Sequence, residues 1–64
     1  MTVQVQNIRI EIERQGLKQR EIANYLGISE AGLNAKLNER RNFKLNEFLK
    51  LCVLLNKNPS DFLQ

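Results

Sequence analysis

Along the chain, apolar positions fall into clusters separated by glycines or by polar runs, and the spacing within each cluster changes. Val5, Ile8 and Ile12 recur at i, i+3 and i+7, one face of a helix, with Gly16 just beyond as a stop. The same stretch also alternates in pairs, Val3 and Val5, then Ile8, Ile10 and Ile12, as a half-buried strand would, and its β-branched residues favour that state. No other segment offers a partner strand. A helix over residues 5–14 is therefore predicted, with Ile10 facing outward and Met1 to Gln4 left unassigned.

Beyond Gly16, the run Lys18 to Leu26 gathers Leu17, Ile22, Ala23 and Leu26 on one side and stops at Gly27, a residue that adopts positive φ without steric cost. Ser29 is placed to cap a third helix running from Glu30 to about Asn38 and burying Leu33 and Leu37. A polar, basic loop covers Glu39 to Asn42. Leu45 to Leu55 reads as a fourth helix with Phe48, Leu51, Cys52 and Leu55 inward. Asn58, Pro59 and Asp61 then stand as cap, first-turn proline and first-turn acid of a short terminal helix carrying Phe62 and Leu63. The pattern predicts an all-α chain of five short helices, residues 1–64 forming one unit without repeats or linkers.

Composition narrows the function. A chain of 64 residues buries only about 60% of the surface that it exposes when unfolded, so a deep substrate cleft is not expected. The sequence offers no nucleophile paired with a base and no glycine-rich phosphate loop, and with a single cysteine and no histidine it has no zinc-ligand set. An enzyme, a metal, a cofactor and a small-molecule substrate are all unexpected. The longest apolar run, Leu51 to Leu55, is too short to span a bilayer, and the N-terminus lacks the basic flank and apolar run of a signal peptide. A cytoplasmic protein without a membrane partner is expected, its Cys52 a small core residue.

The net charge of +3 is unevenly placed. Residues 1–31 are neutral, and the excess comes from Lys36, Arg40, Arg41, Lys44, Lys50 and Lys57 set against Glu39, Glu47 and Asp61. Lys36 to Lys44 is the basic centre. Clustering of this kind suits a polyanion such as nucleic acid.

The informative stretch is Gln19 to Asn38, QREIANYLGISEAGLNAKLN. A small residue where two helices meet (Ala23), glycine four residues later in the turn (Gly27), then Ile28 and Leu33 as anchors, is the packing that a helix-turn-helix demands. This arrangement resembles the lambda-repressor-like family of DNA-binding domains, the Cro and xenobiotic-response-element type. NIRIEIERQGLKQREIANYLGIS looks like that family's first two helices, and LNERRNFKLNEFLKLCVLLNKNPSDFL looks like its loop, fourth helix and final turn. The resemblance covers roughly residues 7–63.

The resemblance implies a third helix, about residues 29–38, lying in the major groove of double-stranded DNA. The base-reading positions it implies are Ser29, Glu30, Ala31, Asn34, Ala35 and Asn38. Asn34 and Asn38 have the chemistry to pair with adenine, Glu30 to accept from a cytosine amino group, and Ala31 and Ala35 to touch a thymine methyl. Neither arginine nor glutamine stands on this face, so specificity is expected to be modest or shared with DNA shape and a second subunit. Phosphate contacts are implied at Gln19, at the start of the second helix, and at Arg40, Arg41 and Asn42 in the loop.

Two departures concern Lys18 and Lys44, which stand where the family usually places Ser or Thr as helix caps. Each loses a cap worth about 1 kcal/mol and puts a cation at the positive end of a helix dipole, for which phosphate would compensate. A third departure is aliphatic: Leu49 and Val53 occupy the outer face of the fourth helix, and with Ile10 and Leu54 they predict the interface of a two-fold homodimer. The chain is thus read as a repressor-like transcriptional regulator of bacterial or phage type. The alternative is an antitoxin-like or regulator-binding interaction module of the same fold, which Glu30 and Ala31 favour and the basic loop disfavours.

Overall fold

A computed structural model of the chain describes residues 3–63. Four α-helices follow one another: α1 (Val5–Gln15), α2 (Gln19–Leu26), α3 (Glu30–Leu37) and α4 (Leu45–Leu55). A 3-10 turn, Pro59–Asp61, follows α4. α2 packs on both α3 and α4, and α1 lies against the same two helices. The core between them is aliphatic with one aromatic pair: Ile8 and Ile12 from α1, Ile22, Ala23 and Leu26 from α2, Leu33 and Leu37 from α3, Phe48, Leu51, Cys52 and Leu55 from α4, and Phe62 after the turn. Phe48 and Phe62 meet edge to face with ring centroids 6.5 Å apart.

All four helices stop in the same way. A residue in the left-handed region lets the next amide reach back five residues: Leu17 N–H to the Ile12 carbonyl, Ile28 to Ala23, Arg40 to Ala35 and Lys57 to Cys52. Gly16 and Gly27 take that conformation at φ 68° and 75° at no cost, but Glu39 at φ 61° and Asn56 at φ 57° must carry a Cβ there.

The terminal element differs from expectation. In place of a fifth α-helix the chain makes a single 3-10 turn: Pro59 sets its start, the Asp61 carboxylate accepts the Asn58 N–H at 2.9 Å, and the Phe62 N–H reaches only to the Pro59 carbonyl at 3.0 Å. The capping carboxylate belongs to Asp61, and the Asn58 side chain caps nothing. A longer helix would carry Phe62 out of the core and take Leu63 away from Val3, with which it forms an isolated antiparallel bridge. That bridge, and the Gln4 N–H bonded to the Phe62 carbonyl at 2.6 Å, tie the start of α1 to the end of the chain. Val3 therefore does find a partner for its extended backbone, but for one residue only, and Val5 begins a helix. Of the unassigned stretch Met1 to Gln4, Met1 and Thr2 lie outside the described residues.

Candidate nucleic-acid interface

The turn between α2 and α3 depends on two residues. Ala23 is 2% exposed, small enough for the helices to approach closely, and Gly27 provides the left-handed step that redirects the chain. α3 then opens at Ser29, whose hydroxyl oxygen accepts the Gly32 N–H at 3.0 Å. That lone pair is committed to the cap, so Ser29 faces outward mainly as a hydroxyl donor.

On the outer side of α3, Glu30, Ala31, Asn34 and Ala35 line an open depression of about 540 Å³, with Gln19 of α2 and Arg40 of the loop at its edges. Four of the six implied base-reading positions thus share one concavity with two of the implied phosphate positions. Amide side chains continue across the face. The Asn34 Nδ2 donates to Gln19 Oε1 at 3.5 Å, and Asn38 Nδ2 donates to Asn34 Oδ1 at 3.0 Å and to the Asn34 carbonyl at 2.9 Å. The chain of amides holds Gln19 against α3 and leaves the Gln19 NH₂ free to donate outward. Ser29, Lys18, Arg41, Asn42 and Lys44 are exposed and lie outside the depression.

The cations divide into two groups. Lys36, part of the basic centre by sequence, is only 7% exposed and ion-paired with Glu47 of α4, so it is withdrawn from the surface charge. Lys57 and Arg14 face Glu11, at 3.8 Å and 3.3 Å. Lys18, Arg40, Arg41 and Lys44 have no carboxylate within ion-pairing distance among the described residues, and the same is true of Arg9, Arg20 and Lys50.

Lys18 and Lys44 supply no side-chain cap, as expected, but their helix starts are not without help. A lysine side chain has no acceptor and cannot cap, but Glu21 accepts the Lys18 N–H at 3.2 Å and Glu47 accepts the Lys44 N–H at 2.9 Å. Half of a capping box survives at each start, and each glutamate brings a negative charge to the first turn. The helix dipole is partly offset within the protein, and phosphate has correspondingly less to compensate.

With this geometry in hand, comparison with known families is decisive: the Helix-turn-helix family model matches residues 8–62. The chain belongs to the helix-turn-helix family. Its lambda-repressor-like character rests on the same match, and the family is one of DNA-binding regulatory domains that are typically not enzymes. Among curated proteins, no match to the chain was found.

This helix-turn-helix protein carries three features that sequence reasoning missed. Leu45 is 73% exposed and continues Leu49 and Val53 into a stripe of three aliphatic residues, one per turn of α4. Spacing at i, i+4 and i+8 in the sequence carries the signal for it. Ile10 is also exposed, on the side of α1 turned away from Ile8 and Ile12, whereas Leu54 packs partly against the core and drops out of any outward patch. The other two are Lys36 and Glu47, which stand at helical spacing from the buried Leu33 and Leu51 but whose charge reads as surface. Burial would raise the Glu47 carboxyl, but the Lys36 ammonium, the Lys44 amide and both lysine charges hold it below the ordinary value. Burial, with the Asp61 charge, pushes the Cys52 thiol up, as suits a core residue. No helix among the described residues is long and apolar enough to cross a membrane.

Proposed function

We propose that the chain is a sequence-specific, double-stranded DNA-binding transcriptional regulator of repressor type, prokaryotic or phage in origin and cytoplasmic, acting as a homodimer. The observation that supports this most is the single concavity shared by Glu30, Ala31, Asn34 and Ala35 with Gln19 and Arg40; Lys18, Arg41 and Lys44 are exposed and unpaired among the described residues. Direct phosphate contact from Gln19 and the loop cations would set register, and the α3 side chains, with few hydrogen-bonding groups, would read bases modestly. The α4 stripe of Leu45, Leu49 and Val53 would join two copies, so that two α3 helices reach successive major-groove faces about one turn apart.

Selection of bound sequences from random duplex DNA tests this reading. It predicts enrichment of a two-fold half-site pair, with A·T-rich preferences opposite Asn34 and Asn38. No enrichment over input would contradict it. A second reading, an interaction module of the same fold, is favoured by Glu30, an exposed carboxylate in the depression where phosphates would repel it. Such a module would show almost no salt-dependent binding to nonspecific duplex DNA.

A further inference from the structure

We propose that Lys36 and Glu47 are positioning residues for the DNA-facing loop, together closing its base so that Arg40 and Arg41 are held beside α3. The inference rests on the DNA-binding reading above. The loop leaves α3 through the Glu39 N–H, bonded to the Lys36 carbonyl at 3.1 Å, and the Arg40 N–H, bonded to the Ala35 carbonyl at 2.8 Å. It enters α4 through the Lys44 N–H, bonded to Glu47 Oε1 at 2.9 Å. That same carboxylate oxygen takes the Lys36 ammonium.

Lys36 thus holds one end of the loop with its backbone carbonyl and the other with its side chain, through Glu47. The bonds form a closed ring around the base of the segment that carries Arg40 and Arg41. Phe43, half-buried against the core, adds an apolar anchor within it. Lys36 and Glu47 are 7% and 6% exposed, too buried to meet a phosphate themselves.

Stability alone is a poor account of the pair. Two charges taken out of water regain in mutual attraction little more than they lose in hydration, and an apolar pair of similar volume would hold the helices as well. A shared acceptor at the base of a cationic loop does something that an apolar pair cannot. It links the loop's exit from α3 to its entry into α4 through one oxygen, which also accepts the Lys44 N–H, and so spares DNA binding the cost of ordering the loop.

The test is the double variant Lys36→Met/Glu47→Gln, which removes both charges, keeps side-chain length, and leaves a carbonyl at position 47 to accept the Lys44 N–H. Native chain and variant are titrated with the same nonspecific duplex across a salt series. The variant is expected to melt within a few degrees of the native chain yet bind about tenfold more weakly, with a shallower salt slope. Equal affinity and slope would overturn the positioning role while leaving the DNA reading intact. Absence of duplex binding by the native chain would overturn both.

Nitrogen-15 relaxation on the native chain supplies a readout that does not depend on the variant folding. Amides 39–43 are expected to be as ordered as those of α3 and α4. Order parameters below about 0.6 in this segment would overturn the proposal.

Discussion

The Glu47 carboxylate, buried at the first turn of α4, is ion-paired with the equally buried Lys36 in the last turn of α3. The loop that these helices flank contains Arg40 and Arg41, so the pair stands at the junction of folding energetics and the charged surface. Its members are unequal in what their loss exposes. Glu47→Gln keeps the Lys44 cap but strands an ammonium out of water, which should cost about 3 kcal/mol or more. That is a large part of the stability of a domain this small, of the order of 0.05–0.15 kcal/mol per residue. Urea unfolding of the single variant and of Lys36→Met/Glu47→Gln checks it: the double variant should recover most of the loss.

Acid should weaken the fold through the same carboxyl. The folded-state pKa of Glu47 lies below the ordinary 4.5, so its contribution is fully present above that value and is lost as pH falls through the folded pKa. Glu11 acts in the same direction, chiefly through the Gln15 amide that donates to it at 2.9 Å, opposed by burial and helped by Lys57 and Arg14. Thermal melts should be flat above about pH 5.5 and drop below 4.5. In Lys36→Met/Glu47→Gln the acid drop should be smaller; an identical drop would show that Glu47 plays no part in it.

Glu39 occupies a left-handed position at φ 61°, where a side chain is strained and glycine is not. Glu39→Gly should raise stability by about 0.5–1 kcal/mol, a shift of roughly 4–7 °C in a chain of this length. It also removes a carboxylate adjacent to Arg40. Nonspecific duplex affinity should therefore rise about two- to fivefold in the same variant, by the removal of one repelling charge. Calorimetry and a duplex titration measure the two effects separately.

Lys18→Ser and Lys44→Thr each restore a side-chain acceptor where only Glu21 and Glu47 now serve the helix start. Each should raise stability by about 0.5–1 kcal/mol while weakening duplex binding and lowering the salt slope by roughly 1. Gains in melting temperature with no change in affinity or slope would show that these lysines do not meet phosphate.

Val53 is 69% exposed at the far end of the α4 stripe. Val53→Glu should leave each chain folded and abolish self-association, seen as a sedimentation coefficient that no longer rises with concentration. A native chain that sediments as a monomer at every concentration would remove the dimer from the account.

The helices were legible in sequence where their signals are local. Gly16, Gly27 and Ser29 mark stops and a cap within a few residues of where they act, and Leu45 to Leu55 carries its own apolar periodicity. Placement of Gln19, Glu30, Ala31, Asn34 and Ala35 on one side was legible only through the resemblance to the lambda-repressor-like family, whose two-helix motif fixes these positions relative to one another. The Lys36–Glu47 pair was not, since a lysine beside Leu37 reads as a surface cation until α4 folds over it. Nor was the Val3–Leu63 bridge, which joins opposite ends of the chain and shortens the terminal helix to one turn. The hydrogen bonds from Lys18 N–H to Glu21 and Lys44 N–H to Glu47 do have a local signal, an acid three residues after each helix start.

The salt dependence of duplex binding counts the cations that meet phosphate. If Lys18, Arg40, Arg41 and Lys44 meet phosphates, log K should fall with log salt at a slope of about −3 to −4 per chain, near −0.9 for each phosphate neutralised. A flat line between about 50 and 200 mM salt, or no binding at the lower end, would contradict the assignment of this face to DNA.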